Sequence, residues 1–152
     1  MAADLLSNLQ VIKSSKSTKE EVLEEMAAVA IKAGYAREGF NQAILEREIK
    51  YPTGLHTPQI EVAVPHADAE WTLQPSLVIG ILQKPVIFEP MGGEGGDVRA
   101  ELIFMLTIED PSEHVDFLRA FSTLMEVPQV LIDFKNSGDP QPLVEKIRGN
   151  MK

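Results

Sequence analysis

EREIKYPTGLHTPQIEVAVPHA, residues 46–67, carries a helix end, a turn and a strand end in succession, and its reading decides the fold. Pro52 drives Tyr51 toward an extended backbone, so the charged segment ahead of it ends as a helix by residue 50. Pro-Thr-Gly then turns the chain. Ile60, Val62 and Val64 alternate with Glu61 and Ala63, the period of a short half-buried strand. Pro65 has no N–H to give a ladder and marks the strand's end. His66 follows directly, at the end of a predicted buried strand and behind a rigid residue. Such a side chain is held in one place, as a reactive imidazole must be.

Working outward, Phe40, Ile44 and Leu45 predict a helix over residues 37–48. Upstream, Ser17 and Thr18 each stand three residues before a glutamate, as in a capping box. Val22, Met26, Val29 and Ala33 recur at helical spacing until Gly34 ends the run. Leu5, Leu6, Leu9, Val11 and Ile12 predict a short strand or a turn of helix within residues 1–16. Downstream, SLVIGIL (76–82) is a nearly continuous apolar run, as expected of a central strand. A brief strand is expected over 86–88, a loop over MGGEGGD (91–97), and another strand over 98–108.

Asp110-Pro111-Ser112-Glu113 predicts a helix start, with Asp110 as cap, Pro111 in the first position and Glu113 closing the box. Phe117, Leu118, Phe121, Leu124 and Met125 form its buried stripe. Pro128 breaks it. Short helices are expected over 129–135 and 143–148, with a turn at Ser137-Gly138-Asp139-Pro140. Helices and strands intermingle, so the class is α/β, a sheet with helices packed on it.

The chain has 152 residues, a length suited to one domain that buries about 68–70% of its unfolded surface. It has no cysteine, so a zinc-thiolate site and a cysteine nucleophile are excluded. No apolar run approaches a membrane span, and the first residues lack the pattern of a secretory signal. A soluble cytoplasmic protein is expected, without membrane insertion. The net charge is −9, from 23 acidic and 14 basic residues, which disfavours nucleic acid as a partner.

Three histidines are candidates for chemistry. His66 ends a strand, and strand ends in α/β sheets are where sites collect. A neutral imidazole is a good nucleophile near pH 7 and forms a covalent intermediate without a separate base. His114 is expected in the first turn of its helix, leaning to the buried side ahead of Phe117 and Leu118. A neutral ring there can donate a hydrogen bond to an anion or orient a second imidazole. Arg47, near a helix end, is either an ordinary C-terminal cation or an anion clamp, since guanidinium grips phosphate oxygens through a fork. His56 falls in the turn and is expected to be exposed and without a role. No HExxH or P-loop spacing is present, so a zinc hydrolase is weakly supported and the glycines at 92, 93, 95 and 96 fit neither nucleotide fingerprint.

LEREIKYPTGL, then EVAVPHADA, then DPSEHVDFLRAFSTLM together resemble the type-2 (fructose/mannitol) IIA domain of the bacterial phosphoenolpyruvate-dependent sugar phosphotransferase system (PTS). The YPTG form of the turn is most like the galactitol-type component. The resemblance implies a mixed five-stranded sheet with helices packed on both faces, and a single IIA domain over residues 1–152. It implies that His66 is the phosphoryl acceptor, His114 a second active-site histidine for orientation and charge stabilisation, and Arg47 the phosphate-stabilising arginine. The implied partners are the carrier HPr as donor and a cysteine of a IIB component as acceptor, with the membrane IIC component indirectly involved and no cofactor. A regulatory IIA-like module, whose phosphorylation state controls a protein partner, is the alternative; a plain interaction domain is another. The family's usual Gly-Ile-Gly-x-Gly segment is replaced here by Gly-Leu-His-Thr-Pro-Gln-Ile, which leaves the loop around His56 open.

Overall fold

The computed structural model describes residues 5–151. Local signals place the helices. Thr18 caps α1 (Lys19–Lys32), accepting from Glu21 N at 3.2 Å and donating its hydroxyl to Glu21 Oε1 at 3.0 Å. α2 (Phe40–Lys50) starts three residues later than its pattern suggested, because Gly39 adopts a left-handed φ of 96° and Trp71 lies where a Cβ would stand. Pro128 opens α4 (Pro128–Ser137), which stops at left-handed Gly138, and α5 covers Gln141–Asn150. α3 (Val115–Met125) is preceded by a 3-10 turn, Pro111–His114, in place of the predicted first α-helical turn. Asp110 caps that turn by accepting from Ser112 N and the Ser112 hydroxyl, while Glu113 is exposed.

The sheet has five strands in the order β1 (Leu9–Ser14), β4 (Ser76–Phe88), β5 (Val98–Thr107), β3 (Glu61–Ala63), β2 (Gly54–Leu55). The β1/β4 and β5/β3 pairs are parallel; β4/β5 and β3/β2 are antiparallel. The apolar runs 76–82 and 86–88 are one continuous strand, interrupted only in its pairing, and a 3-10 turn (Met91–Gly93) opens the glycine-rich loop. β5 carries a bulge at Glu101, so Glu61 and Val62 on β3 pair with Ala100 and Leu102. The extra residue reverses which side each side chain faces. Val98, Ala100, Ile103 and Met105 face one core, while Leu102, Phe104 and Leu106 face the other.

Helices cover both faces. α1 and α2 bury Val22, Met26, Ala30, Phe40 and Ile44 on one side. α3, α4 and α5 bury Phe121, Leu124, Leu131, Phe134, Leu143 and Ile147 on the other, with Phe121 edge-on to Phe104 at 5.2 Å. Within α3, Ala120 takes the buried place expected of Leu118, which is only half-buried. Two glycines permit close contacts. A Cβ on Gly80 would lie 2.8 Å from Met26 Sδ, and one on Gly54 would lie 2.6 Å from the Glu89 carbonyl oxygen. The second contact explains why the Pro-Thr-Gly turn ends in glycine.

Candidate functional site

Parallel β3 and β5 end together, and His66 stands just past that end. Pro65 stops β3 but keeps one ladder bond, its carbonyl accepting from Leu106 N at 3.1 Å, and His66 itself forms an isolated parallel bridge with Leu106. The ring is half-buried. Its Nδ1 lies 3.0 Å from the Val64 carbonyl oxygen. A carbonyl only accepts, so Nδ1 carries the proton, and Nε2 keeps its lone pair.

His66 and Arg47 line one cleft of about 350 Å³, together with Ala67, Asp68, Leu106, Ile108 and Leu118. Its walls are the last turn of α2, the end of β3, the end of β5 and the start of α3. Arg47 donates from Nη1 to Asp68 Oδ1 at 2.6 Å, and its guanidinium carbon lies 5.0 Å from the centre of the Tyr51 ring. Its buried Nε has no hydrogen-bond partner among the described residues. The cation is thus gathered at the cleft beside the imidazole, and its fork is only partly engaged.

His114 is buried, as its lean toward the core suggested, at the junction of the 3-10 turn and α3. It does not line the cleft, although Pro111 and Leu118 on either side of it in the chain do. Asp110, four residues earlier, has its carboxyl held below the usual range, first by the Ser112 hydroxyl and then by the Ser112 N–H. His56 is exposed, as expected, but it is engaged. Nδ1 meets Glu61 Oε2 at 2.5 Å and Nε2 meets the Gly96 carbonyl at 2.9 Å, which ties the turn to the glycine-rich loop. Among the described residues, no three His, Asp or Glu side chains gather in a metal-ligating arrangement, and no helix is long and apolar enough to cross a membrane.

Residues beyond the predicted trio also shape the site. Asp68, two positions after His66, holds Arg47. Glu48, in the charged segment ahead of Pro52, is buried; its Oε2 accepts from Thr53 N and its Oε1 from the Thr53 hydroxyl, each at 2.8 Å. Desolvation pushes its carboxyl above the ordinary range, against the pull of the Thr53 bonds. A glutamate five residues before a turn threonine was the available signal, but its burial depends on how α2 packs.

This geometry can be set beside known proteins. The family model described as phosphoenolpyruvate-dependent sugar phosphotransferase system, EIIA 2, matches residues 5–149. Over 111 residues the chain is 32% identical to the PTS system fructose-specific EIIABC component of Bacillus subtilis (strain 168), covering 70% of this chain but only 16% of that longer protein. It is 24% identical over 113 residues to the PTS system galactitol-specific EIIA component of Escherichia coli (strain K12), covering 74% of this chain and 75% of that one. The fold matches enzyme IIAMTL of Escherichia coli, solved in complex with phosphorylated enzyme IIBMTL, with a TM-score of 0.73 at 22% identity over 98% of this chain and 99% of that one. The family match runs through every strand and helix that builds the cleft, and the chain belongs to the EIIA type 2 family of the phosphoenolpyruvate-dependent sugar phosphotransferase system.

Proposed function

We propose that this chain is a cytoplasmic phosphocarrier that accepts a phosphoryl group from phospho-HPr on Nε2 of His66. It then passes the group to a cysteine of a IIB component, which serves uptake of a sugar or polyol through a membrane IIC component. One observation carries this reading: Nδ1 of His66 is committed to the Val64 carbonyl, so the nitrogen left to react is Nε2, on a ring lining the cleft that also holds Arg47. In the first step the Nε2 lone pair attacks phosphorus, the phosphorus–nitrogen bond of the donor phosphohistidine breaks, and the donor imidazole leaves with that electron pair. In the second step a thiolate attacks phosphorus and the bond to Nε2 breaks. Both steps depend on positioning and on stabilising charge on the equatorial oxygens.

Arg47 supplies that charge, releasing Asp68 as the phosphoryl group arrives, and His114, buried at the start of α3, supports the site. Galactitol is the specific substrate to test first, because the YPTG turn and the galactitol-specific relative both point to it.

The test is incubation with phosphoenolpyruvate, enzyme I and HPr. We expect one acid-labile phosphoryl group, none on His66→Ala, and slower onward transfer to IIB from His114→Ala. Phosphorylation of His66→Ala would refute the assignment, and an unchanged rate in His114→Ala would leave that residue a packing role only.

A further inference from the structure

We propose that Glu48 is a positioning residue for His66, acting through Thr53 and Val64; the inference deepens the phosphocarrier role given to His66 and rests on it. Glu48 sits in the last turn of α2 with 3% of its surface exposed, a poor place for a carboxylate that served only solubility. Both its oxygens are spent on one residue, accepting the N–H and the hydroxyl of buried Thr53 at 2.8 Å each. The Thr53 carbonyl in turn accepts from Val64 N at 3.1 Å, and the Val64 carbonyl accepts Nδ1–H of His66 at 3.0 Å. A continuous path therefore runs from the end of α2, through the Pro-Thr-Gly turn, to the reactive ring.

The coupling is mechanical. The N–H and C=O of Val64 belong to successive peptide planes, so little polarisation passes between them. What passes is orientation. The plane that carries the Val64 carbonyl is held on one side by Val64 N on Thr53 and on the other by the Pro65 carbonyl on Leu106 N. Removing Glu48 loosens the first hold and leaves the second. The Val64 carbonyl can then turn away from Nδ1, and the ring loses the bond that sets both its tautomer and its angle. Such a site tolerates about 0.5 Å or 10–20° of error before rate suffers. A free histidine side chain in water favours the opposite tautomer, with the proton on Nε2, so the loss has a visible signature.

Glutamine at position 48 preserves the hold. Its amide oxygen can accept Thr53 N–H while its NH2 donates to the Thr53 hydroxyl oxygen. The test compares wild type, Glu48→Gln and Glu48→Ala by long-range 1H–15N correlation of the histidine rings, alongside rapid-quench phosphorylation by phospho-HPr. In wild type and Glu48→Gln, His66 should show Nδ1–H. In Glu48→Ala it should shift toward Nε2–H, and the phosphorylation rate constant should fall about tenfold, or about 1.4 kcal/mol, with the KM for phospho-HPr within about twofold.

A folded Glu48→Ala that keeps the wild-type tautomer and rate would overturn the proposal. If Glu48→Ala does not fold, Thr53→Val removes one of the two contacts and should give a smaller shift in the same direction; an unchanged tautomer there is equally decisive. Because the tautomer is read in unphosphorylated protein, it judges the Glu48 coupling separately. A wild-type chain that takes no phosphoryl group on His66 would instead refute the phosphocarrier reading.

Discussion

Replacing Arg47 by alanine separates what its guanidinium does for the fold from the charge-stabilising role proposed for it. For the fold, it pairs with Asp68 at 2.6 Å between side chains 30% and 69% exposed. A pair this exposed is worth about 0.2–1 kcal/mol. The contact with the Tyr51 ring, at 5.0 Å on a surface where Tyr51 is itself exposed, adds about 0.5–1 kcal/mol. Against these, the substitution removes a buried Nε that lacks a hydrogen-bond partner among the described residues. The net loss should stay below about 2 kcal/mol, and each 1 kcal/mol lowers Tm by about 2–4 °C in a domain this size. For the reaction, deleting one preorganised donor to developing charge costs about 100–1,000-fold. Arg47→Ala should therefore melt only a few degrees lower, yet transfer its phosphoryl group at least about 100-fold more slowly. Arg47→Lys should recover part of the rate, since it keeps the charge and loses the fork. Thermal denaturation and rapid-quench transfer from phospho-HPr and to IIB read the two effects. If Tm falls as expected while both transfer rates stay within about threefold of wild type, Arg47 is only the ion-pair partner of Asp68, and the anion-clamp reasoning fails.

Gly54→Ala should destabilise by about 1–3 kcal/mol, because its Cβ would stand 2.6 Å from the Glu89 carbonyl and 2.9 Å from Val98 Cβ. The urea midpoint should drop with an unchanged m-value, and a midpoint equal to wild type would show that the turn has room that the structure does not. For His56, the Glu61 carboxylate and then the Gly96 carbonyl raise the pKa above its ordinary value. A histidine raised in the folded state stabilises the fold fully below its unfolded pKa of about 6.5, and loses that contribution as pH rises through the higher folded value. The Tm gap between wild type and His56→Ala should thus be widest below about pH 6.5 and narrow as pH rises above it; a gap that does not change with pH would rule out the ionic link.

Much of the architecture could be read because its causes are local. The Thr18 cap, the stop at Gly138 and the end of α2 before Pro52 are set by atoms a few residues apart. The alternation of Ile60, Val62 and Val64 shows a strand without reference to its neighbours. Other features needed partners distant in sequence. β2 is two residues long and exists only because Gly54 and Leu55 pair with Ala63 and Val62. The phase reversal at Glu101 is a property of pairing, so no periodicity in β5 alone reveals it. The 3-10 turn before α3 replaced a capping box that the four residues Asp110 to Glu113 were equally able to form.

The site divides along the same line. The placement of His66 was legible by itself, because Pro65 ends an alternating strand and the next residue must stand at that strand's tip. The sequence alone also determined the family pattern that names Arg47 and His114. Only the tertiary structure decided which of them shares a cleft with His66: Arg47 does, while His114 is buried outside the cleft's lining. Only the tertiary structure showed that Asp68 holds Arg47, and that Glu48, one residue along the same helix turn, faces inward to Thr53. Successive residues on a helix point about 100° apart, and here Arg47 lines the cleft while Glu48 turns to Thr53. Which of the two lines the cleft and which sinks toward the turn depends on the sheet beneath α2, and that surface does not exist until the strands have paired.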